Sequence, residues 1–263
     1  MNRSFFLFLF IFLASDFTLL AELKFRQQLP QSKIFHYKHW NLQKKEITGH
    51  TEITYRSVIK DDKEFILAQQ RNLKTDGTLF WERLIWFHPT TGAPVYSQEK
   101  DYRAKIEISS EYQAAHLITT IFLPEKEQHQ EFSLLLGTNV IPFELLTLWL
   151  QKQLPQLIRK KELNFILYLP RLAYELEKTP FPRSMAELSV KARMQPPRTW
   201  DSPMGKVEVV DVLVVPTDFL VKSLLPKEQS EFRFTFLRDA PHNLVSFQEK
   251  ITQSLLIEIR SPK

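Results

Sequence analysis

From Ile34 to Leu136 the chain is a succession of short segments, each closed by residues that turn the backbone. Thr51 to Val58 alternates, with Ile53 and Tyr55 on one face and Glu52, Thr54 and Arg56 on the other. Asp61-Asp62-Lys63 ends it in a turn. Glu64 to Lys74 follows, then Asp76-Gly77, the strongest two-residue hairpin signal in the chain. Thr78 to His88 turns at Pro89-Thr90-Thr91-Gly92 into Pro94 to Lys100, and Ala104 to Ser110, Ala114 to Leu123 and Glu131 to Leu136 read as further strands. Strands joined by tight turns run antiparallel and pair with their sequence neighbours. The pattern predicts a mainly β fold: an antiparallel meander curled by its own twist into a half-barrel or open barrel.

Thr138 to Leu154 breaks the alternation. Glu144, Thr147 and Gln151 recur at three and four residues and form one narrow polar stripe. Phe143, Leu145, Leu146, Leu148, Trp149, Leu150 and Leu154 cover the rest, with Pro142 in the first turn and Pro155 at the end. A helix apolar on most sides is buried on most sides, so it belongs in the concave face of the sheet. Its stripe is expected to face water or the sheet rim. It is either a plug over an apolar cavity or a plain core helix.

Strands resume at Asn164 to Leu169, Met185 to Arg193, Lys206 to Val215, Glu231 to Leu237, Asn243 to Lys250 and Ser254 to Arg260. Phe232, Phe234 and Phe236 alternate with Arg233 and Thr235. In Lys206 to Val215 the apolar phase slips near Val210-Asp211, which means a bulge or burial on both faces. Pro180-Phe181-Pro182 and Gln195-Pro196-Pro197 read as loops. No repeat or flexible linker divides the chain, so residues 22–263 are expected to form a single β-rich domain.

The first 21 residues read as an export signal. Arg3 supplies a positive charge, Phe5 to Ala14 is apolar without interruption, and Asp16 stops any longer span. The run is too short for a membrane helix, which needs roughly 20 residues. Cleavage is expected after Ala21 or near Ala14-Ser15, with an uncleaved anchor as the alternative. The expected location is the periplasm or the medium. The absence of cysteine removes a lipidated cysteine, disulfides and thiolate chemistry.

Chemistry is hard to find. With 5 glycines, and no G-x-G-x-x-G or G-x-x-x-x-G-K-[ST], a nucleotide site has no support. No cofactor is expected. The net charge of +5 is spread rather than clustered, which argues against nucleic acid as a partner. His36 and His39 are three apart, but on a strand they point to opposite faces, and no metal site is expected. No G-x-S-x-G or H-E-x-x-H occurs, and no catalytic residue is nominated. The densest aromatic segment, Phe80, Trp81, Trp86 and Phe87, puts rings on both faces of one strand. It is either core on one side with surface aromatics on the other, or an inner wall for acyl chains. With the helix residues Phe143, Leu146 and Trp149 it forms the candidate apolar ligand site.

Four segments resemble the periplasmic domain of unknown function 3108 family. Thr48 to Arg71, with Gly49-x-x-Glu-Ile-Thr-Tyr-Arg, resembles its opening hairpin. Ile141-Pro142-x-x-Leu-Leu-x-Leu-Trp is similar to its buried helix, although the family has an acidic residue and a serine there. Ser202-Pro203-Met204-Gly205-Lys206-Val207-Glu208-Val209 resembles its turn into a strand. Phe232 to Lys250, with Pro241-His242-Asn243-Leu244-Val245, resembles its closing hairpin. Arg171 to Arg183 departs from the pattern. The resemblance implies a lipoprotein-carrier-like half-barrel without catalysis. It points to an exported protein that holds lipid or a lipoprotein acyl chain. An assembly module docking another envelope protein is the second reading, and an envelope hydrolase the third.

Overall fold

The computed structural model describes residues 33–113, 115–137, 139–180, 182–218, 231–249 and 251–261. The export signal, with Arg3, Phe5 to Ala14 and both cleavage positions, lies outside the described residues.

The meander expected from the turns is present. Its first half runs through β1 (Ile34–Asn41), β2 (Glu46–Lys60), β3 (Lys63–Leu73), β4 (Leu79–Phe87), β5 (Pro94–Asp101), β6 (Ile106–Gln113), β7 (His116–Leu123) and β8 (Gln128–Leu135). Its second half comprises β9 (Val140–Pro142), β10 (Glu162–Tyr168), β11 (Glu187–Met194), β12 (Arg198–Ser202), β13 (Gly205–Pro216), β14 (Phe232–Leu237), β15 (Leu244–Glu249) and β16 (Thr252–Arg260). The hydrogen-bonded order is β8 to β1 in reverse, then β16, β15, β14, β13, β11, β10 and β9, with β12 pairing only β13. The halves join where β1 lies antiparallel to β16, Ile34 opposite Arg260. The path ends at β8 and β9, so the sheet is open there. Among the described residues all pairings are antiparallel except β9 with β10.

Local chemistry accounts for the hairpins, with one exchange of roles. Asp61 and Asp62, both at positive φ (49° and 58°), form the two-residue connection between Lys60 and Lys63. That is the backbone a two-residue primed turn needs, and aspartate tolerates it. Asp76-Gly77 instead sits in a longer loop. Gly77 N–H donates to Lys74 O (3.0 Å), Gly77 has φ 85°, and Asp76 Oδ1 accepts from Thr78 N–H (2.9 Å).

The long helix α1 spans Leu146–Lys160, shifted from the expected Thr138 to Leu154. Its start is delayed because Val140–Pro142 pairs in parallel with Ile166–Tyr168, and Phe143–Leu145 forms a 3₁₀ turn. Its end is delayed because Pro155 lies inside the helix on the exposed side, where the carbonyl it leaves unbonded can be hydrated. The buried stripe Leu146, Leu150, Leu154 and Leu157 continues past the proline. That stripe packs on Phe165, Val190, Ala192, Val210, Val212 and Phe234. Leu145 and Leu148 meet Ile66, Ala68, Ile85 and Phe87 of β3 and β4. One helix touches strands at distant places in the sheet order, so the sheet curls around it.

A second, short helix, α2 (Pro170–Leu176), was not anticipated from the sequence and overlaps Arg171 to Arg183, the stretch that departs from the family pattern. Tyr174 packs on Ile106, Ile108, Ile121 and Phe132, and Ala173 and Leu176 pack on Leu117, Tyr168 and Ala186. It therefore fills the part of the curve that α1 does not reach. On β13 the phase slip is burial on both faces rather than a bulge. Val210, Val212 and Val214 join the α1 cluster, Val209 joins Phe35, Tyr37, Val245 and Leu256, and the register with β14 is unbroken from Val209 to Val214. Asp211 is buried with them. It accepts two bonds from Arg198 (3.0 and 3.2 Å) and one from the Thr235 hydroxyl (2.7 Å).

Candidate functional site

Helix α1 does not fill the curve of the sheet. A cavity of about 590 Å³ remains between its first turns and β2 to β4. Phe143, Leu146 and Leu148 line it from the helix side, and Ile53, Tyr55, Ala68, Phe80, Trp81 and Ile85 from the sheet. Phe234, Leu244 and Phe247 also line it. A second chamber of about 500 Å³ lies towards β5, β6 and α2, lined by Ser97, Ile108, Ser110, Leu169, Arg171 and Leu172 among others. Trp81, Arg83, Phe143 and Glu144 border both chambers. Sizes in this range, with mixed apolar and polar walls, are usual for small-molecule sites.

Of the seven residues nominated from the sequence, Phe80, Trp81, Phe143 and Leu146 line this cleft. Phe80 and Trp81 are adjacent and would normally point to opposite faces. The β3–β4 register shifts at this point, with Asn72 opposite Trp81 and Leu73 opposite Leu79, so Phe80 is the extra residue of a bulge. Bulges re-aim side chains, and this one accounts for both rings meeting one cavity. The other three nominations are corrected. Phe87 is buried in the cluster with Ile66, Ala68 and Ile85. Trp86 packs against Tyr96 with tilted rings 5.1 Å apart, beneath the Lys60 ammonium. Trp149 packs against Phe165 at 4.5 Å. None of the three lines the cleft.

The polar groups between the chambers were missed. Arg83 shares a strand face with Trp81 and Ile85, so alternation alone places a cation inside the curve. Its Nε and Nη2 donate to Glu99 Oε2 at 3.2 and 2.6 Å, and Trp81 Nε1 donates to Glu99 Oε1 at 3.0 Å. The guanidinium carbon lies 4.6 Å from the Trp81 ring centroid. Glu144, expected on a stripe facing water or the sheet rim, turns into the cleft instead. Its Oε1 accepts from the Tyr112 hydroxyl at 2.8 Å and from Ser97 Oγ at 3.5 Å. Loss of water around the carboxyl raises its pKa above the usual value, against the pull of Arg83. Burial, then the neighbouring Glu144, holds the Tyr112 hydroxyl well above its ordinary range.

The far wall of the larger chamber carries a hydrogen-bond chain. Thr51 Oγ1 donates to Asn72 Oδ1 (2.7 Å). A hydroxyl has one proton, so the 2.6 Å contact between His39 Nε2 and Thr51 Oγ1 has the imidazole as donor. His39 Nδ1 then accepts from Ser254 Oγ (2.8 Å). Burial, helped by His50, pushes the His39 pKa down to about 4, so the ring is neutral near pH 7. Both its partners are hydroxyls rather than a carboxylate. Among the described residues no group of three or more His, Asp or Glu is placed to hold a metal ion.

No family model and no curated protein matches the chain, so the resemblance to the domain of unknown function 3108 family stands on its sequence motifs alone. Solved structures are similar at low identity. A β-barrel-like protein of the domain of unknown function DUF1849 from Brucella abortus aligns over 90% of this chain and 99% of its own, with a TM-score of 0.44 and 11% identity. A candidate lipoprotein from Parabacteroides distasonis covers 88% of this chain and 96% of its own, with a TM-score of 0.37 and 7% identity. A candidate exported protein with a YmcC-like fold from Bacteroides fragilis covers 88% and 97%, with a TM-score of 0.37 and 6% identity.

Proposed function

We propose that this chain is an exported envelope protein, non-enzymatic and kin to the domain of unknown function 3108 family, that holds an apolar ligand such as a lipid or a lipoprotein acyl chain. The observation that carries the reading is the cavity of about 590 Å³ between Phe143, Leu146 and Leu148 on one side and Phe80, Trp81 and Ile85 on the other. A concave, mostly apolar wall with a few convergent polar groups is the usual form of a small-molecule site. The layout of Arg3 and Phe5 to Ala14 supports export.

The test has two arms. Protein purified from the envelope should begin near Asp16 or Glu22, and an organic extract of it should contain lipid detectable by mass spectrometry. The mature protein should also bind dodecanol or a polarity-sensitive apolar dye at micromolar concentration, with a change in tryptophan emission from Trp81. Ala68→Phe projects a ring into the larger chamber and should abolish binding while the circular dichroism of the sheet is retained. If the folded protein binds neither probe, the carrier reading fails and docking to another envelope protein replaces it.

A further inference from the structure

Between the two chambers one guanidinium and two carboxylates meet, and the guanidinium is already engaged. Arg83 gives two N–H bonds to Glu99, and its side chain is only 13% exposed. The other Glu99 oxygen is held by the Trp81 indole. Glu144 receives hydrogen bonds from the neutral hydroxyls of Tyr112 and Ser97 and from its own backbone N–H, and Arg83 acts on it through space. With all three groups ionised the junction carries one uncompensated negative charge. A carboxylate drawn out of water without a bonded cation is costly, and it lowers that cost by taking a proton or a cationic partner.

We propose that the cleft is built for an amphiphile with a primary amine head. Its ammonium donates to Glu144 at the junction, and its apolar body lies in the larger chamber against Phe80, Phe143 and Leu148. The inference rests on the ligand-cleft reading and adds the head group to it. A fatty-acid carboxylate is the wrong head, because it would face Glu144 as a like charge and find Arg83 bonded to Glu99. The other cations of the two linings, Lys74, Arg103 and Arg171, are exposed, where water and salt screen an ion pair with a ligand head.

The experiment is calorimetric titration of the mature protein with dodecylamine, dodecanol and dodecanoate at pH 7.5, below their micellar concentrations. The amine should bind about tenfold or more tighter than the alcohol, the scale of one charge-assisted hydrogen bond in a partly dry site, and dodecanoate should bind weakest. Glu144→Gln keeps the shape and removes the charge. It should bring the amine to the affinity of the alcohol and improve dodecanoate. Equal binding of amine and alcohol to the unmodified protein, or preference for dodecanoate, would overturn the head-group assignment and leave the cleft standing. Binding of none of the three by folded protein would overturn the cleft reading with it. The ranking on unmodified protein needs no variant, so poor folding of Glu144→Gln does not block the test.

Discussion

His39 should make this protein lose stability between pH 6.5 and about 4, and His39→Asn should remove that loss. The imidazole ordinarily titrates at 6.5. In the fold, burial first and His50 second lower this to about 4. Below 6.5 the unfolded chain takes up a proton at His39 that the folded chain refuses. Stability from the neutral ring is therefore complete above 6.5, falls as pH falls through this window, and levels off below about 4. The gap, at roughly 1.4 kcal/mol per pH unit, corresponds to about 3 kcal/mol. The assay is urea unfolding by tryptophan fluorescence, run in parallel on both proteins from pH 8 to pH 4, so that other titrating groups cancel in the difference. At pH 8 the variant should be less stable by roughly 1–3 kcal/mol, because the bonds to Ser254 and Thr51 are lost. Towards pH 4 that deficit should shrink by about 3 kcal/mol and approach zero or reverse. A deficit that stays constant with pH would refute the reasoning, because it would mean that the folded protein protonates His39 as readily as the unfolded chain does.

Leu154 is fully buried under the sheet, so Leu154→Ala should cost about 3–5 kcal/mol in urea unfolding, while exposed Lys152→Ala should cost close to nothing; equal small losses would show that α1 is not packed as described. Gly49→Ala would bring a methyl to 2.4 Å from the Leu73 carbonyl oxygen at positive φ, so the β2–β3 pair must shift, at about 1–3 kcal/mol in thermal melts. Arg198→Ala strands the Asp211 carboxylate with only the Thr235 hydroxyl; half-exposure of Arg198 limits the loss to about 2 kcal/mol, and a second change, Asp211→Asn, should recover part of it in a double-mutant cycle.

The strands joined by tight turns, and their pairing with sequence neighbours, were legible because their signals are local; β9 and β12 were not. Alternation at Thr51 to Val58 and at Phe232 to Phe236 marks a strand and its inner face from a handful of neighbours. Turn chemistry at Asp61-Asp62 and Gly77 fixes which strands pair. Burial of α1 was legible for the same reason: an apolar excess over one stretch needs cover wherever the chain goes. Its limits were not, because Val140–Pro142 is claimed by a strand some 25 residues away, and the exposed position of Pro155 depends on which face the sheet covers.

The amino-acid sequence by itself therefore determined a β meander around an apolar helix, and it singled out the aromatic segment at Phe80 and Trp81. Tertiary structure decided the rest. The pairing of Ile34 with Arg260 joins the two ends of the described chain, and no local pattern announces it. The bulge at Phe80 arises from register with β3 and puts two adjacent rings on one wall. The direction of Glu144 is set by where the sheet curls around the first turns of α1, which turns a stripe that looked solvated towards Tyr112 and the cleft. Periodicity is a property of neighbours in the chain, whereas a cavity and its charges come from residues such as Arg83, Glu99 and Glu144, which meet only when the sheet curls around the helix.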